Sequence, residues 1–363
     1  MTHQTLQCRV ERLIRPEIRA LSAYTVPPAT GMVKLDAMEN PYAWPDAVKQ
    51  AWLERLAQVE INRYPEPQAQ SVKAGLRRVM GIGDEFELLL GNGSDEIIQI
   101  LAMAIAAEGR CVMAPEPSFV MYRMIATFCR IDYVGVPLDS RFDLDLAAML
   151  AVIDARQPAL IFLSQPNNPT GNLFSVEKIR RIAEASTGLV VVDEAYTAFT
   201  DADSLHLLND YDNLLIMRTL SKVGLAGLRL GLLIGPQQWL VELEKLRLPY
   251  NINVLTQASA EFALEHFTVL QQQTQQLRED RALLLQALQA LPGLQVWPSE
   301  ANFLLVRITA KPVIEVHEGL KQAGILVKKL DGTHPSLAGC LRINISSPEE
   351  NALLLEALQP LLV

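Results

Sequence analysis

The sequence predicts an α/β fold: a large domain with a mostly parallel sheet covered by helices, then a smaller C-terminal α+β domain. Between about residues 70 and 250, seven short apolar runs alternate with segments of helical period. The runs are predominantly apolar, the pattern of strands buried on both faces of a parallel sheet. From residue 257 the pattern changes to a long helical stretch, then strand, helix, two strands and a helix, which suits a compact α+β unit. A chain of 363 residues also exceeds what one core organises, so two domains are expected.

Residues 1–45, with several prolines and the segment "MENPY", read as an irregular N-terminal arm. The large domain is assigned to 46–256. Its strand candidates are "FELLLG", "RCVMA", "IDYVGVPL", "ALIFLS", "GLVVVDE", "NLLIMRT" and "LRLGLLIG". Amphipathic stretches such as "SDEIIQILAMAIAAEG" and "SVEKIRRIAEAST" lie between them, the second with Ser175 at its N-cap position. The small domain, 257–363, opens with one long helix or two in succession, ending at "LPG". A strand "LQVWPSEANFLLVRI", a helix "PVIEVHEGLKQAG", strands "ILVKKL" and "CLRINIS", and a helix "PEENALLLEALQPLL" complete it.

Half of the residues are hydrophobic and a fifth are charged, with a formal net charge of -9. The basic residues are scattered, so neither a nucleic acid nor an anionic membrane is the expected partner, and small molecules are. Cys8, Cys111, Cys129 and Cys340 are far apart and form no CxxC pair, which reads as reduced thiols in a cytoplasmic protein. His3, His206, His266, His317 and His334 show no ligand spacing and read as surface or loop histidines, so no metal site is expected. The N-terminal segment has charges throughout and no apolar run of a signal peptide, and no stretch approaches a bilayer span.

In an open α/β sheet, ligands bind beyond the carboxyl ends of the strands. "LLLGNGSDEIIQIL" gives strand, glycine turn and a helix starting near Ser94, whose free N–H groups can cup a phosphate. A tight turn with Ser94 as cap and Asp95 and Glu96 on the helix dipole explains the same residues equally well. "SQPNNPTGN" offers an asparagine held by a Pro and Gly turn, although composition alone favours a plain loop. Asp193 ends the apolar run "LVVVD", where a carboxylate needs a cation, several donors or a capping role. Lys222 leaves the next strand at the same edge. A surface loop is the commonest fate of a lysine, but a buried one has a depressed pKa and becomes an amine nucleophile. The set tips the balance: a phosphate cup, an amide, a carboxylate with a tyrosine three residues on, a lysine and then an arginine would bring five strand ends to one site.

The ordered series "GNGSDE", "PNNPTG", "VVVDEAY", "RTLSKVGLAGLRLG" and "CLRINIS" resembles that of the fold-type I aminotransferases dependent on pyridoxal 5'-phosphate (PLP). Among these it is most similar to the histidinol-phosphate aminotransferases, and the likeness runs from "LSAYTV" and "LDAMENPY" to "SPEEN". The resemblance implies that Lys222 holds PLP as a Schiff base and later acts as the proton-moving base. It implies that Asp193 pairs with the pyridinium nitrogen, and that Tyr196 and Asn168 bond the ring's 3-oxygen. Gly93, Ser94 and Asp95, with Ser221 and Arg229, would hold the phosphate, and Phe119 would stack on the ring. Phe119 replaces a tyrosine frequent at this position, and the loop from Lys222 to Arg229 is one residue shorter than in some relatives.

Tyr64 in "NRYPEP" is similar to the tyrosine that reaches the phosphate from the other subunit, which implies a homodimer with shared sites. Arg342 matches the arginine for the substrate's anion. Lys328 stands where many relatives place a second such arginine, and Tyr24 and Asn40 match cleft positions of the arm. The implied reaction moves the amino group of L-histidinol phosphate to 2-oxoglutarate, giving imidazole-acetol phosphate and glutamate, within histidine biosynthesis. The alternatives are an aromatic amino-acid aminotransferase or a threonine-phosphate decarboxylase of the same fold, and beyond these a PLP-binding regulatory module without turnover.

Overall fold

The computed structural model describes residues 3–23 and 25–363 of the chain. Its strands in chain order are β1 (Val33–Leu35), β2 (Glu87–Asn92), β3 (Cys111–Glu116), β4 (Asp132–Pro137), β5 (Leu160–Ser164) and β6 (Leu189–Asp193). They continue with β7 (Leu214–Thr219), β8 (Leu230–Gly235), β9 (Leu294–Val296), β10 (Phe303–Ile308), β11 (Ile325–Lys329) and β12 (Cys340–Asn344). Seven form one sheet in the order β2-β8-β7-β6-β5-β3-β4. It is parallel except at β8, which runs antiparallel to β2 and β7. All seven runs read as strands in this region are strands of this sheet.

The inner strands β5, β6, β7 and β8 are buried on both sides, as their apolarity requires, while the edge strand β4 is only partly covered. In β6, Val190 and Val192 face one core while Leu189 and Val191 face the other, and β5 divides Ile161 and Leu163 from Leu160 and Phe162 in the same way. Helices Gln70–Met80, Leu146–Arg156, Val176–Ala185 and Val254–Glu265 cover the first face. Helices Gly93–Ile105, Met121–Phe128 and Gln237–Glu244 cover the second. The helix after Ser175 starts where expected, although that serine's side chain makes no capping bond.

The second sheet has the order β1-β11-β12-β10-β9. Two features differ from the sequence reading. The first 45 residues are not irregular throughout: they contain the helix His3–Leu13 and strand β1, which pairs in parallel with β11. Only a partner far away in the sequence makes "VKL" a strand, so local pattern could not show it. The segment "LQVWPSEANFLLVRI" is two antiparallel strands, since Pro298 lacks an N–H and the chain bends back over residues 300–302. The long helical stretch divides at His266 into Val254–Glu265 and Phe267–Gln289. Among the described residues no helix is long and apolar enough to cross a membrane.

An ion pair locks the ends of β6 and β7 together. Glu194 and Arg218 are both buried; Arg218 Nε donates to Glu194 Oε2 at 2.8 Å, and its Nη2 lies 2.7 Å from the same oxygen and 3.1 Å from Asp203 Oδ1. Burial raises the Glu194 pKa, and Arg218 opposes that rise. Replacing Arg218 by methionine would strand a buried carboxylate. The expected loss is about 3–5 kcal/mol of stability, read as a lower urea midpoint; a midpoint equal to that of the unmodified chain would contradict the pairing.

Candidate active site

The carboxyl ends of β5, β6 and β7, together with the turn after β2, surround a cavity of about 90 Å³. Asp193, the last residue of β6, and Lys222, in the turn that follows β7, both line it. A larger cavity of about 330 Å³ adjoins it, and Met38, Phe119 and Asn168 belong to both walls.

Asp193 is 3% exposed, and burial pushes its carboxyl up to about 6. Two donors work against that rise: the Tyr122 hydroxyl, 2.6 Å from Oδ2, and the Ala195 N–H, 3.1 Å from Oδ1. Lys222 is half-buried, and burial, reinforced by the Arg342 guanidinium, lowers its amine to about 8. Its Nζ donates to the Ala37 carbonyl at 3.1 Å and lies 5.9 Å from the centre of the Tyr196 ring. Among the described residues no ion pair joins Asp193 to Lys222. The site therefore presents an acid and an amine, both moved toward neutral pH, across one concave space.

Asn168 links the two cavities. Its Nδ2 donates to the Tyr196 hydroxyl at 3.1 Å, and its Oδ1 accepts from Arg342 Nη1 at 2.6 Å. Arg342 comes from β12, is 7% exposed, and also donates through Nη2 to the Asp36 carbonyl. Lys328 on β11 lies opposite it in register, and both line the larger cavity. The preceding Asn167 holds the loop instead, its Nδ2 bonding Pro117 O and Thr170 Oγ1 and so tying the turn to the end of β3.

At the other end, helix Gly93–Ile105 points its first turn at the small cavity, with Ser94 and Asp95 on the wall and no side chain capping the helix. Gly93 has φ 77°, and a Cβ there would lie 2.6 Å from Arg229 Nη2. A Cβ on Gly231 would lie 2.6 Å from the Gly93 carbonyl carbon, so both positions must be glycine for backbone and arginine to close in. Arg229 adopts a left-handed backbone (φ 49°), a cost accepted to aim its guanidinium here. Its Nη2 lies 3.1 Å from Asp95 Oδ2, which offsets the acidic charge at the helix start. Ser221 and Thr219 hydroxyls complete this end, 3.0 Å apart.

A carboxylate without a cation partner, a depressed amine and an uncapped helix start beside an arginine fit a flat cationic heterocycle with an aldehyde and a phosphate. The family model "Aminotransferase class I and II" matches residues 30–358. The chain belongs to the class I and II aminotransferases. It is 54% identical to histidinol-phosphate aminotransferase 2 of Nitrosococcus oceani, over 97% of this chain and 98% of that protein. It is 50% identical to histidinol-phosphate aminotransferase 2 of Cupriavidus pinatubonensis, over 96% of each. The crystal structure of histidinol-phosphate aminotransferase from Sinorhizobium meliloti in complex with pyridoxal-5'-phosphate superposes with TM-score 0.85. It covers 96% of this chain and 97% of that one at 24% identity, a likeness of fold.

Of the residues singled out in the sequence, Ser94, Asp95, Phe119, Asn168, Asp193, Tyr196, Ser221, Lys222 and Arg229 line the small cavity. Phe119, Asn168, Lys328 and Arg342 line the large one. Asn40 lies on neither wall: its Nδ2 bonds Val223 O and Gln273 Oε1, and its Oδ1 accepts from Tyr42 N, so it fastens the arm behind Lys222. Tyr64 is 80% exposed and stacks on Tyr250 with ring centres 4.5 Å apart, away from both cavities of its own chain. Tyr24 lies outside the described residues. The sequence reading missed Tyr122, whose only local signal is its place three residues after Phe119 in a helix. His334, expected on the surface or in a loop, lines the large cavity, with Nδ1 accepting from the Ser336 N–H.

The two shifted groups set a stability balance in the cofactor-free protein. Asp193 has its pKa raised from 3.8 to about 6, so its contribution is fully present below 3.8 and lost as pH rises through 6. Lys222 is lowered from 10.5 to about 8, so its contribution is present above 10.5 and lost as pH falls through 8. At pH 7 both are charged and disfavoured. Asp193→Asn and Lys222→Met should each stabilise the cofactor-free protein at pH 7 by about 1–3 kcal/mol while abolishing turnover. Thermal denaturation checks this, and lower midpoints for both variants would contradict it.

Proposed function

We propose that the chain catalyses PLP-dependent transamination between L-histidinol phosphate and 2-oxoglutarate, giving imidazole-acetol phosphate and glutamate, a step of histidine biosynthesis. The observation that carries it is Asp193 and Lys222 lining one cavity whose far wall opens onto Arg342 and Lys328. When bound, PLP supplies the electron sink for charge developing at the substrate Cα.

The chain's own groups do the rest. Lys222 attaches the cofactor; with its pKa near 8, a useful fraction of the amine is neutral and nucleophilic at pH 7–8. The Lys222 Nζ would also be the group that carries a proton to and from the substrate Cα. Asp193 would hold the proton on the ring nitrogen, Tyr196 and Asn168 would orient the 3-oxygen, and Phe119 would cover the ring face. Gly93, Ser94, Asp95, Ser221 and Arg229 receive the phosphate through backbone N–H groups, a hydroxyl and a guanidinium. Arg342 meets the phosphate of histidinol phosphate in one half-reaction and a carboxylate of glutamate in the other, since its planar fork suits both. Lys328 adds a second positive charge on the same wall. Asn40 supports the loop of Lys222 rather than touching substrate, and Tyr24 of the arm is assigned to the cleft by resemblance alone. Tyr64, exposed on its own chain, serves the phosphate of a second copy, making the protein a cytoplasmic homodimer with shared sites.

The test is turnover of histidinol phosphate with 2-oxoglutarate, compared with phenylalanine and with threonine phosphate. Histidinol phosphate should have the highest kcat/KM, and Lys222→Ala should lower its turnover by at least about 10²–10⁴-fold. Preference for phenylalanine, or carbon dioxide release from threonine phosphate, would overturn the substrate; full activity of Lys222→Ala would overturn the mechanism.

A further inference from the structure

We propose that Tyr122 is a positioning residue for the reaction, its buried hydroxyl keeping the Asp193 carboxylate ionised and fixed in orientation toward the cofactor cavity. The proposal rests on the cofactor reading above and extends it to a residue that does not line either cavity.

Tyr122 is 1% exposed, and its hydroxyl lies 2.6 Å from Asp193 Oδ2, within the range of a charge-assisted O–H···O⁻ bond. The direction of the proton follows from the surroundings. Burial and the neighbouring carboxylate push the tyrosine well above its ordinary pKa, so the phenol keeps its proton and donates. Asp193 is thereby the acceptor, and Tyr122 is the strongest influence opposing the upward push of burial on that carboxyl.

The ring is held as firmly as the hydroxyl. It stacks on Phe162 of β5 with centres 4.4 Å apart and planes parallel, and it meets Phe119 edge to face at 5.5 Å. Phe119 itself lines the cofactor cavity, so the side chain placed to cover the ring also packs on the tyrosine that grips the carboxylate. With the Ala195 N–H on Oδ1, each carboxylate oxygen has one fixed donor and retains a lone pair for the cavity. A protonated Asp193 would still form a hydrogen bond to a ring nitrogen, but it would offer no charge to keep that nitrogen protonated.

Tyr122→Phe removes the donor while leaving the stack on Phe162, so it separates this role from packing. In the cofactor-free protein, the Asp193 carboxyl can be followed by pH-difference infrared spectroscopy, its band assigned by its disappearance in Asp193→Asn. The midpoint should lie near 6 in the unmodified protein and about one unit or more higher in Tyr122→Phe. With cofactor, the variant should bind PLP about tenfold more weakly, and the acid limb of kcat/KM should move up by the same interval. Tyr42→Phe, which deletes a tyrosine–aspartate bond of 2.8 Å to Asp280 elsewhere, should leave the Asp193 midpoint where it is. If Tyr122→Phe does not fold, Phe162→Leu loosens the stack and should produce a smaller shift in the same direction. An unchanged Asp193 midpoint in the folded variant, or equal shifts in Tyr122→Phe and Tyr42→Phe, would overturn the proposal. The infrared readout needs neither PLP nor substrate, so failure of the transaminase reading would show separately, as a shifted midpoint with no turnover of histidinol phosphate by the unmodified enzyme.

Discussion

Burying an acid and an amine at the edge of one sheet, facing the same space without pairing to each other, is the constraint on which the rest of this molecule turns. Left to themselves, Asp193 and Lys222 would seek water or close onto one another. The acid is held back by the Tyr122 hydroxyl and the Ala195 amide, and the amine by the Ala37 carbonyl from the arm. Behind them the Glu194–Arg218 pair joins the two strands that deliver them, so their spacing is set by sheet register and not by side-chain reach. The cost of holding both groups in a dry place falls on stability and is recovered in chemistry.

The same constraint explains why two cores are needed. The large sheet alone could present the acid and the amine, but the cation its own helices bring to the larger cavity, Arg123, is paired with Glu116. Arg342 arrives from the small sheet and reaches Asn168 of the large one at 2.6 Å, with Lys328 opposite it. Tyr196 completes the junction: its ring packs edge to face on Phe303 of the small core while its hydroxyl bonds Asn168. The chain segment 33–35 stitches the arm to the small sheet, which places Ala37 and Met38 within reach of the site.

Much of this was legible in the sequence where local chemistry is unusual for its setting. Seven largely apolar runs pointed to strands of a covered sheet, and Asp193 at the end of one and Lys222 just beyond another stood out. What was hidden depended on distant contacts. Nothing in "PNNPTG" shows that Asn167 ties the loop while Asn168 faces the site. Asn40 looked like a cleft residue, yet its amide is consumed by Val223, Gln273 and Tyr42. Tyr122 was not singled out at all, because its partner lies 71 residues away. The strand at 33–35 has no period of its own, and only pairing with β11 defines it.

Borohydride reduction of the PLP-loaded protein, followed by proteolysis and mass spectrometry of the peptides, tests the covalent tether most directly. A pyridoxyl group on the peptide containing Lys222, and on no other lysine, is the predicted result. Labelling of a different lysine, or none at all in protein that binds the cofactor tightly, would contradict it.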